Sequence, residues 1–269
     1  MNAAELSPLL AGYDNVILDL DGTVWLGSTA TPRAPEAIAA IRAAGKRIAF
    51  VTNDGSLTPE EYVRKLWSIG CTAAVEEIVS VGSAIQYLLG GRAPGATVFV
   101  IGSAPVFKHV TDAGHRVVNG QPEAEQADVV VVVAHAELHY RELLIATRAL
   151  SAGADFISGG MDRNFPTHGG IAPGTGAVTV ALEYATGRRA RSVGKPDPQV
   201  FQVALERLGG GRTLVIGDHL ESDLGGAHAA GLEAAVVLSG ITDSDAAHAA
   251  SDPTPVAIAE NLAALVLSR

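Results

Sequence analysis

Short apolar runs alternate with stretches of helical spacing along the chain. Runs such as NVILDL (15–20), RIAFVTN (47–53) and TLVIGD (213–218) have the length and residue types of buried strands, and PEAIAAIRAAG (35–45) has the spacing of a helix. The apolar fraction is 48% with only 5% aromatics, which suits parallel strands covered by alanine-rich helices. The pattern is typical of parallel strands joined by crossover helices. We predict an α/β fold with a Rossmann-like parallel sheet.

The middle of the chain repeats this pattern as a unit of its own. TVFVIGS (97–103), DVVVVVAH (128–135) and ADFISGG (154–160) read as strands, and YRELLIATRALSAG (140–153) as a helix. The first pattern resumes after residue 189 and ends in a helix predicted near residues 258–267. We predict a catalytic core formed by residues 1–81 and 190–269, with a smaller α/β domain inserted at residues 82–189.

Net charge and composition limit the kinds of binding partner and the cell compartment that we predict. The formal net charge of −10 argues against nucleic acid or an anionic membrane as the main partner. Cys71 is the single cysteine, so we expect no internal disulfide. The first ten residues lack the pattern of a signal peptide, and the longest apolar run, Val129–Ala134, is too short to cross a bilayer. We expect a cytoplasmic protein, and a homodimer is left open.

Polar side chains follow several of the predicted core strands, where each strand ends or in the loop after it. They are Asp19, Asp21, Thr52, Lys195, Asp218 and Asp223. Ligands of open parallel sheets bind outside the carboxyl ends of the strands, so one crevice could collect all of these groups. Carboxylates from separate strands offer the hard oxygen ligands that suit Mg²⁺, and the cation would offset their mutual repulsion. A lysine and a threonine hydroxyl would complete a site for a phosphoryl group.

These residues belong to four motifs that resemble those of one superfamily. DLDGT, TND, GKPDP and GDHLESD, in this order, are similar to the motifs of the haloacid dehalogenase superfamily of aspartate-dependent phosphatases. The segment MDRNFPTHGGIAPGTGAV resembles the α/β cap of the subgroup that includes p-nitrophenyl, phosphoglycolate and glycerol-3-phosphate phosphatases. The resemblance spans nearly the whole chain.

The resemblance implies a role for each motif residue. Asp19 would be the nucleophile that forms an aspartyl-phosphate, and Asp21 the acid and base. Mg²⁺ would be bound by Asp19, Asp218 and the backbone carbonyl of Asp21. Behind these ligands, Asp223 would orient metal-bound water or Lys195. The groups that would hold the phosphoryl group are Thr52, Asn53, Lys195 and the backbone at Gly22.

Three residues of the insertion are candidates for the substrate pocket by their position. They are Asp162, Arg163 and His168. The sequence departs from the family at Asp54, at His219, which stands where an arginine is usual, and at SGGMD (158–162), which replaces ATNPD or a similar segment. These departures leave the leaving-group pocket undefined.

Some of the same features have purely structural interpretations. Asp223 could be a helix N-cap, and Asp197 before Pro198 is expected to be one. APGTG (172–176) could cradle a phosphate, although a glycine-rich turn before a helix is usually only a tight turn. HAELH (135–139) does not match a zinc protease motif, and we expect a loop and a helix cap there.

The sequence therefore predicts a Mg²⁺-dependent phosphomonoesterase that acts on a small phosphorylated metabolite. Glycerol 3-phosphate or phosphoglycolate is the first expectation, and a nucleoside monophosphate is the alternative. A phosphotransferase or mutase would differ only in whether water reaches the aspartyl-phosphate. A non-catalytic, receiver-like binding protein is disfavoured by Asp21 and by the large insertion, because receivers lack the second acid and are much smaller.

Overall fold

The computed structural model describes residues 5–133, 135–167 and 170–268, without the side chains of residues 165–167 and 170–171. The chain divides into two compact units. Unit 1 consists of Met1–Thr52, Pro59–Ser80 and Lys195–Arg269, and unit 2 of Asn53–Thr58 and Val81–Gly194.

The strands are numbered in chain order through both units. They are β1 (Asn15–Asp19), β2 (Trp25–Leu26), β3 (Thr29–Ala30), β4 (Arg47–Thr52), β5 (Ile78–Ser80), β6 (Thr97–Ile101), β7 (Arg116–Val117), β8 (Val129–Val132), β9 (Asp155–Ser158), β10 (Asn164–Thr167), β11 (Gly170–Pro173), β12 (Arg191–Ser192), β13 (Thr213–Gly217), β14 (Glu233–Val237) and β15 (Ile258–Ala259).

The helices are numbered in the same way. They are α1 (Ala34–Ala43), α2 (Pro59–Ser68), α3 (Val81–Gly90), α4 (Ala104–Asp112), α5 (Tyr140–Ser151), α6 (Thr175–Thr186), α7 (Gln199–Leu208), α8 (Gly226–Ala229), α9 (Ser244–Ala249) and α10 (Leu262–Val266). A π-helical segment, Leu220–Gly225, leads into α8, and short 3₁₀ turns cover Pro8–Gly12, Val75–Glu77 and Pro122–Gln126.

Unit 1 is built on a six-stranded sheet in the order β15-β14-β13-β1-β4-β5. Each described pair in this sheet is parallel. The residues of β1 are all buried, as are those of β13, because helices cover both faces of a parallel sheet. Asp19 stands opposite Val51 of β4, and Leu18 opposite Ile216 of β13. The carboxyl ends of β1, β4 and β13 therefore meet at one edge of the sheet.

Unit 2 has its own five-stranded sheet in the order β12-β9-β8-β6-β7. Its described pairs are also parallel. All four residues of β8 are buried valines, and alternate ones, Val130 and Val132, pack with Phe99 and Ile101 of β6 against α5 and α6. The predicted α/β fold class is confirmed, with a separate parallel sheet in each unit.

The predicted terminal helix near residues 258–267 is wrong at its beginning. Ile258 and Ala259 form β15, which pairs with Val236 and Val237 at the edge of the sheet. The helix begins only at Leu262, because the Asn261 side chain accepts a hydrogen bond from the Ala264 N–H and caps it.

Within the described residues, no helix is both long enough and apolar enough to cross a membrane.

Candidate active site

Asp19 is the last residue of β1, the strand between β4 and β13. Its side chain is buried, and one carboxylate oxygen accepts a hydrogen bond from the Nζ atom of Lys195. Because the strand ends at this residue, the carboxylate is presented at the carboxyl edge of the sheet, where ligands of such folds bind.

Lys195 lies between two acidic side chains. Besides Asp19, its Nζ donates a hydrogen bond of 2.6 Å to Oδ1 of Asp223. Burial alone would lower the pKa of Lys195, but the charges and hydrogen bonds of Asp19 and Asp223 overcome that effect, and the pKa is raised. Lys195 is therefore an ammonium ion at neutral pH.

Three carboxylates of unit 1 lie close enough together to bind one cation. Oxygen atoms of Asp19, Asp218 and Asp223 are all within 4.8 Å of one another, and the three residues are buried. With Lys195 ionised as well, the cluster carries a formal charge of −2. Burial raises the pKa of Asp19 well above its usual range, and the neighbouring carboxylates Asp223 and Asp218 add to this, against the effect of Lys195. Burial and Asp223 likewise raise the pKa of Asp218.

This cluster fits a divalent cation such as Mg²⁺. Carboxylate oxygens are the ligands that Mg²⁺ prefers, and its charge would offset both the burial and the mutual repulsion of the carboxylates, which raise the pKa values of Asp19 and Asp218. Both oxygens of Asp223 already accept hydrogen bonds, from Lys195 and from the backbone N–H of His219 at 3.1 Å. Asp223 thus contacts Lys195 and the His219 N–H, and Asp19 and Asp218 are the residues of the cluster that could bind a cation directly.

The local structure around Asp223 explains its orientation. His219 directly precedes the π-helical segment, and its Nδ1 accepts hydrogen bonds from the N–H groups of Glu221 and Ser222. The alternative interpretation of Asp223 as an N-cap is not what the structure shows, because His219 provides the cap and Asp223 lies inside the segment. The Asp197 carboxylate accepts the N–H of Gln199, the first residue of α7, although the residue at the N-cap position is Pro198.

Two glycines allow the backbone to approach Asp218 closely. A Cβ atom at Gly22 would lie 2.4 Å from Oδ2 of Asp218, and one at Gly240 would lie 1.9 Å from the same atom. Gly22 also has a φ of +87°, a conformation that other residues rarely adopt. The same oxygen of Asp218 accepts a hydrogen bond of 2.7 Å from the Ile241 N–H. Gly22 is therefore required for close packing against Asp218.

Asp21 differs from the sequence-based expectation. The run NVILDL (15–20) predicts a strand that continues past Asp19 towards Asp21, but the strand ends at Asp19 and Asp21 is exposed in the turn that follows. Its Oδ1 accepts a hydrogen bond of 2.7 Å from Nε1 of the fully buried Trp25. The carboxylates that influence the pKa of Asp19 are those of Asp218 and Asp223, which come from a different strand end.

Thr52 ends β4, next to β1, and is buried. It lies opposite Ser80 in the pairing with β5. Asp19, Thr52 and Asp218 therefore follow or end adjacent strands of one sheet, as the sequence predicted.

The remaining candidates belong to unit 2. Asn53 donates a hydrogen bond of 3.1 Å from Nδ2 to the carboxylate of Asp162. Arg163 is exposed, and His168 lies outside the described residues. The predicted pocket role of these residues stays a prediction.

The glycine-rich turn APGTG packs against the backbone of residues 161–163. The N–H groups of Gly174 and Gly176 donate to the carbonyl oxygens of Arg163 and Asp162, so this turn is tight and its amides are engaged. The structure agrees with the tight-turn interpretation. HAELH likewise ends in a cap, in which Glu142 of α5 accepts the N–H of His139.

Comparison with known proteins places the chain in a family. A family model described as haloacid dehalogenase-like hydrolase matches residues 16–116, and one described as HAD-hydrolase-like matches residues 192–265. The chain is 34% identical over 255 residues to D-glycerol 3-phosphate phosphatase of Mycobacterium tuberculosis, covering 94% of this chain and 71% of that protein. It is 31% identical to an acid sugar phosphatase of Staphylococcus aureus, covering 86% and 88%.

Solved structures give the same result. The structure of glycerol phosphate phosphatase from M. tuberculosis in complex with magnesium matches with a TM-score of 0.89 and 33% identity, over 97% of this chain and 79% of that chain. A p-nitrophenyl phosphatase from Archaeoglobus fulgidus matches with a TM-score of 0.87 and 27% identity, over 94% and 98%. The chain belongs to the haloacid dehalogenase-like hydrolases. The predicted superfamily and the predicted phosphatase class are confirmed.

Proposed function

We propose that this protein is a Mg²⁺-dependent phosphomonoesterase that hydrolyses a small phosphorylated metabolite through a phosphorylated Asp19. The observation that carries the proposal is the buried position of Asp19 at the end of β1, bonded to Lys195 and clustered with Asp218 and Asp223. A nucleophile beside a fixed ammonium ion and a cation site suits attack on an anionic phosphate.

The reaction has two steps. In the first, a carboxylate oxygen of Asp19 attacks phosphorus, the bond from phosphorus to the ester oxygen breaks, and Asp21 gives its proton to the departing oxygen. In the second, Asp21 takes a proton from water, the water oxygen bonds to phosphorus, and the acyl-phosphate bond to Asp19 breaks to release inorganic phosphate. The hydrogen bond from Trp25 fixes the Asp21 carboxylate in its turn, and its exposure leaves it open to water.

Positive charge assists both steps. Lys195 is held ionised by two carboxylates and would neutralise oxygens of the phosphoryl group, with Thr52 as a hydrogen-bond donor. Asp19 and Asp218, with the backbone carbonyl of Asp21, would hold the Mg²⁺, which supplies charge neutralisation and substrate alignment when bound. The acidic cluster of this chain and the magnesium complex of the mycobacterial relative support this assignment.

Glycerol 3-phosphate is the proposed substrate. The similarity to D-glycerol 3-phosphate phosphatase supports it, and the similarity to an acid sugar phosphatase makes sugar phosphates the second class to test. Unit 2 is proposed to be the cap that selects the leaving group. A cytoplasmic location stays a prediction.

The experiment is a phosphate-release assay with and without Mg²⁺. The panel contains glycerol 3-phosphate, phosphoglycolate, sugar phosphates, nucleoside monophosphates and p-nitrophenyl phosphate. We expect Mg²⁺-dependent release that stops with a chelator, returns with excess Mg²⁺ and disappears in Asp19→Asn. Asp155→Asn, at an exposed residue paired with Arg92, is the matched control. Transfer of phosphate to an added acceptor without release would indicate a phosphotransferase, and binding without turnover a receiver-like protein.

A further inference from the structure

Unit 2 begins and ends at residues bonded to the proposed phosphoryl-binding groups. Asn53 directly follows Thr52, and Gly194 directly precedes Lys195. The position of these two unit 2 residues therefore affects the backbone from which Thr52 and Lys195 extend.

The Asn53 amide has a close neighbour at each end: a hydrogen-bond partner at Nδ2 and the Cα of Gly194 near Oδ1. Its Nδ2 donates to the half-buried carboxylate of Asp162 at 3.1 Å. Its Oδ1 lies over Gly194, where an added Cβ would be 2.8 Å from this oxygen and 2.0 Å from the carbonyl oxygen of Gly159. An ionised carboxylate accepts hydrogen bonds and donates none, so the Asp162 carboxylate must face the Nδ2 end of the Asn53 amide. Asp162 therefore determines which of its two flipped orientations the amide adopts.

Asp162 is itself held by its backbone. Its carbonyl oxygen accepts the N–H of Gly176 at 3.0 Å, and the next carbonyl, that of Arg163, accepts the N–H of Gly174 at 2.9 Å. A Cβ at Gly174 would lie 2.2 Å from the Asp162 carbonyl oxygen, so the start of α6 packs directly on this turn. On the other side, the Ser158 hydroxyl donates to the Gly160 carbonyl at 2.7 Å. The Asp162 carboxylate is thus presented to Asn53 from a turn anchored at three points.

We infer that Asp162 is a positioning residue for phosphoryl transfer, which acts by holding the Asn53 amide and not by contacting the leaving group. This inference rests on the proposed phosphatase function. It differs from the sequence-based prediction of Asp162 as a pocket residue. The phosphoryl group is common to all substrates, so a residue that acts through the Thr52–Asn53 segment should contribute equally to every ester.

The first test compares two esters with different leaving groups. In Asp162→Ala, kcat/KM should fall by about tenfold, the effect of losing a hydrogen bond to a charged group, and by the same factor for glycerol 3-phosphate and p-nitrophenyl phosphate. Asp162→Asn should recover most of the activity, because its amide oxygen can still accept from Asn53. Asp112→Ala, at an exposed residue paired with Lys108, should match the wild type. If Asp162→Ala does not fold, as judged by thermal unfolding, Asp162→Ser removes the same contact.

The second test is a double-mutant cycle with Asn53→Ala. Since Asp162 acts through Asn53, the further loss caused by Asp162→Ala in this background should shrink to less than about twofold. A loss that differs strongly between the two esters, or that persists undiminished without the Asn53 side chain, would overturn the inference while the enzyme remains a phosphatase. A wild type that releases no phosphate from any ester would overturn the proposed function itself, and this inference with it.

Discussion

The Nζ atom of Lys195 lies 2.6 Å from Oδ1 of Asp223, and the two side chains are 5% and 3% exposed. Asp223 in turn accepts the backbone N–H of His219, so this ion pair connects Lys195 to the segment that follows β13. The pair holds the ammonium ion against Asp19. Because the site is desolvated, each buried charge would be strongly destabilising without its oppositely charged partner.

Replacing Lys195 by Met should destabilise the protein when no divalent cation is present. The buried carboxylates then lose their positive partner, and we expect the free energy of unfolding to fall by about 3–5 kcal/mol. Added Mg²⁺ should restore part of the loss, because it binds the folded state. Denaturant unfolding with and without Mg²⁺ measures both effects. Lys108→Met, which breaks an exposed ion pair, should change stability by less than about 1 kcal/mol. Equal losses in the two variants would contradict the argument.

Trp25→Phe should impair proton transfer by Asp21. The substitution removes the donor to Oδ1 of Asp21 and keeps most of the buried ring. We expect kcat/KM for glycerol 3-phosphate to fall by about tenfold, and that for p-nitrophenyl phosphate to fall less, because nitrophenolate leaves without needing a proton. Trp67→Phe is the control, since Trp67 is 60% exposed and donates only to the Ala73 carbonyl among the bonds described. A uniform loss for both esters would assign Trp25 a purely structural role.

Gly22→Ala should weaken the metal site as well as the fold. Its Cβ would lie 2.4 Å from Oδ2 of Asp218, at a residue with a φ of +87°. Gly45 has a similar φ of +72° with nothing within 4 Å, so Gly45→Ala carries the backbone strain alone, about 1–2 kcal/mol. Calorimetric titration with Mg²⁺ should show weakened binding in Gly22→Ala and unchanged binding in Gly45→Ala. Unaltered affinity in both would mean that Asp218 tolerates the displacement.

Cys71 should resist thiol reagents in the folded protein. Burial raises the pKa of its thiol to about 11, with a smaller contribution from Glu36. At about pH 8 roughly one thiol in a thousand is then ionised. The rate of labelling of the native protein should therefore rise about tenfold for each pH unit as the pH approaches the pKa. Labelling with Ellman's reagent should be slow until denaturant is added, and should then reach one equivalent. Rapid labelling of the native protein would show that Cys71 is accessible.

The sequence predicted the strand-end placement of the acidic residues because that placement follows from strand periodicity and parallel pairing. Asp19, Thr52 and Asp218 end or follow strands whose apolar runs are unambiguous, so their common edge could be inferred without coordinates. The clustering of Lys195 with two carboxylates could be inferred in the same way, because carboxylates at a shared sheet edge repel one another unless a positive charge lies among them.

Other features could not be predicted from local patterns. The position of Asp21 depends on where β1 stops, and the end of a strand is the least certain part of such a prediction. Trp25, which donates the hydrogen bond to Asp21, cannot be distinguished in the sequence from an aromatic residue that is buried only for packing. The bond between Asn53 and Asp162 joins residues 109 positions apart through a glycine-rich turn, and local patterns do not report long-range contacts of this kind.

The interleaved course of the chain has a consequence for synthesis on the ribosome. The central strand β1 pairs with β13. Asn15 of β1 lies opposite Thr213 of β13, which is synthesised 198 residues later. Unit 2 is mostly one continuous stretch, Val81–Gly194, and is synthesised in full before β13. We expect the nascent chain to acquire protease resistance first in that stretch, while the amino-terminal strands stay unpaired with β13 until about the last fifth of the polypeptide appears. Pulse proteolysis of ribosome-bound chains of increasing length would reveal this order.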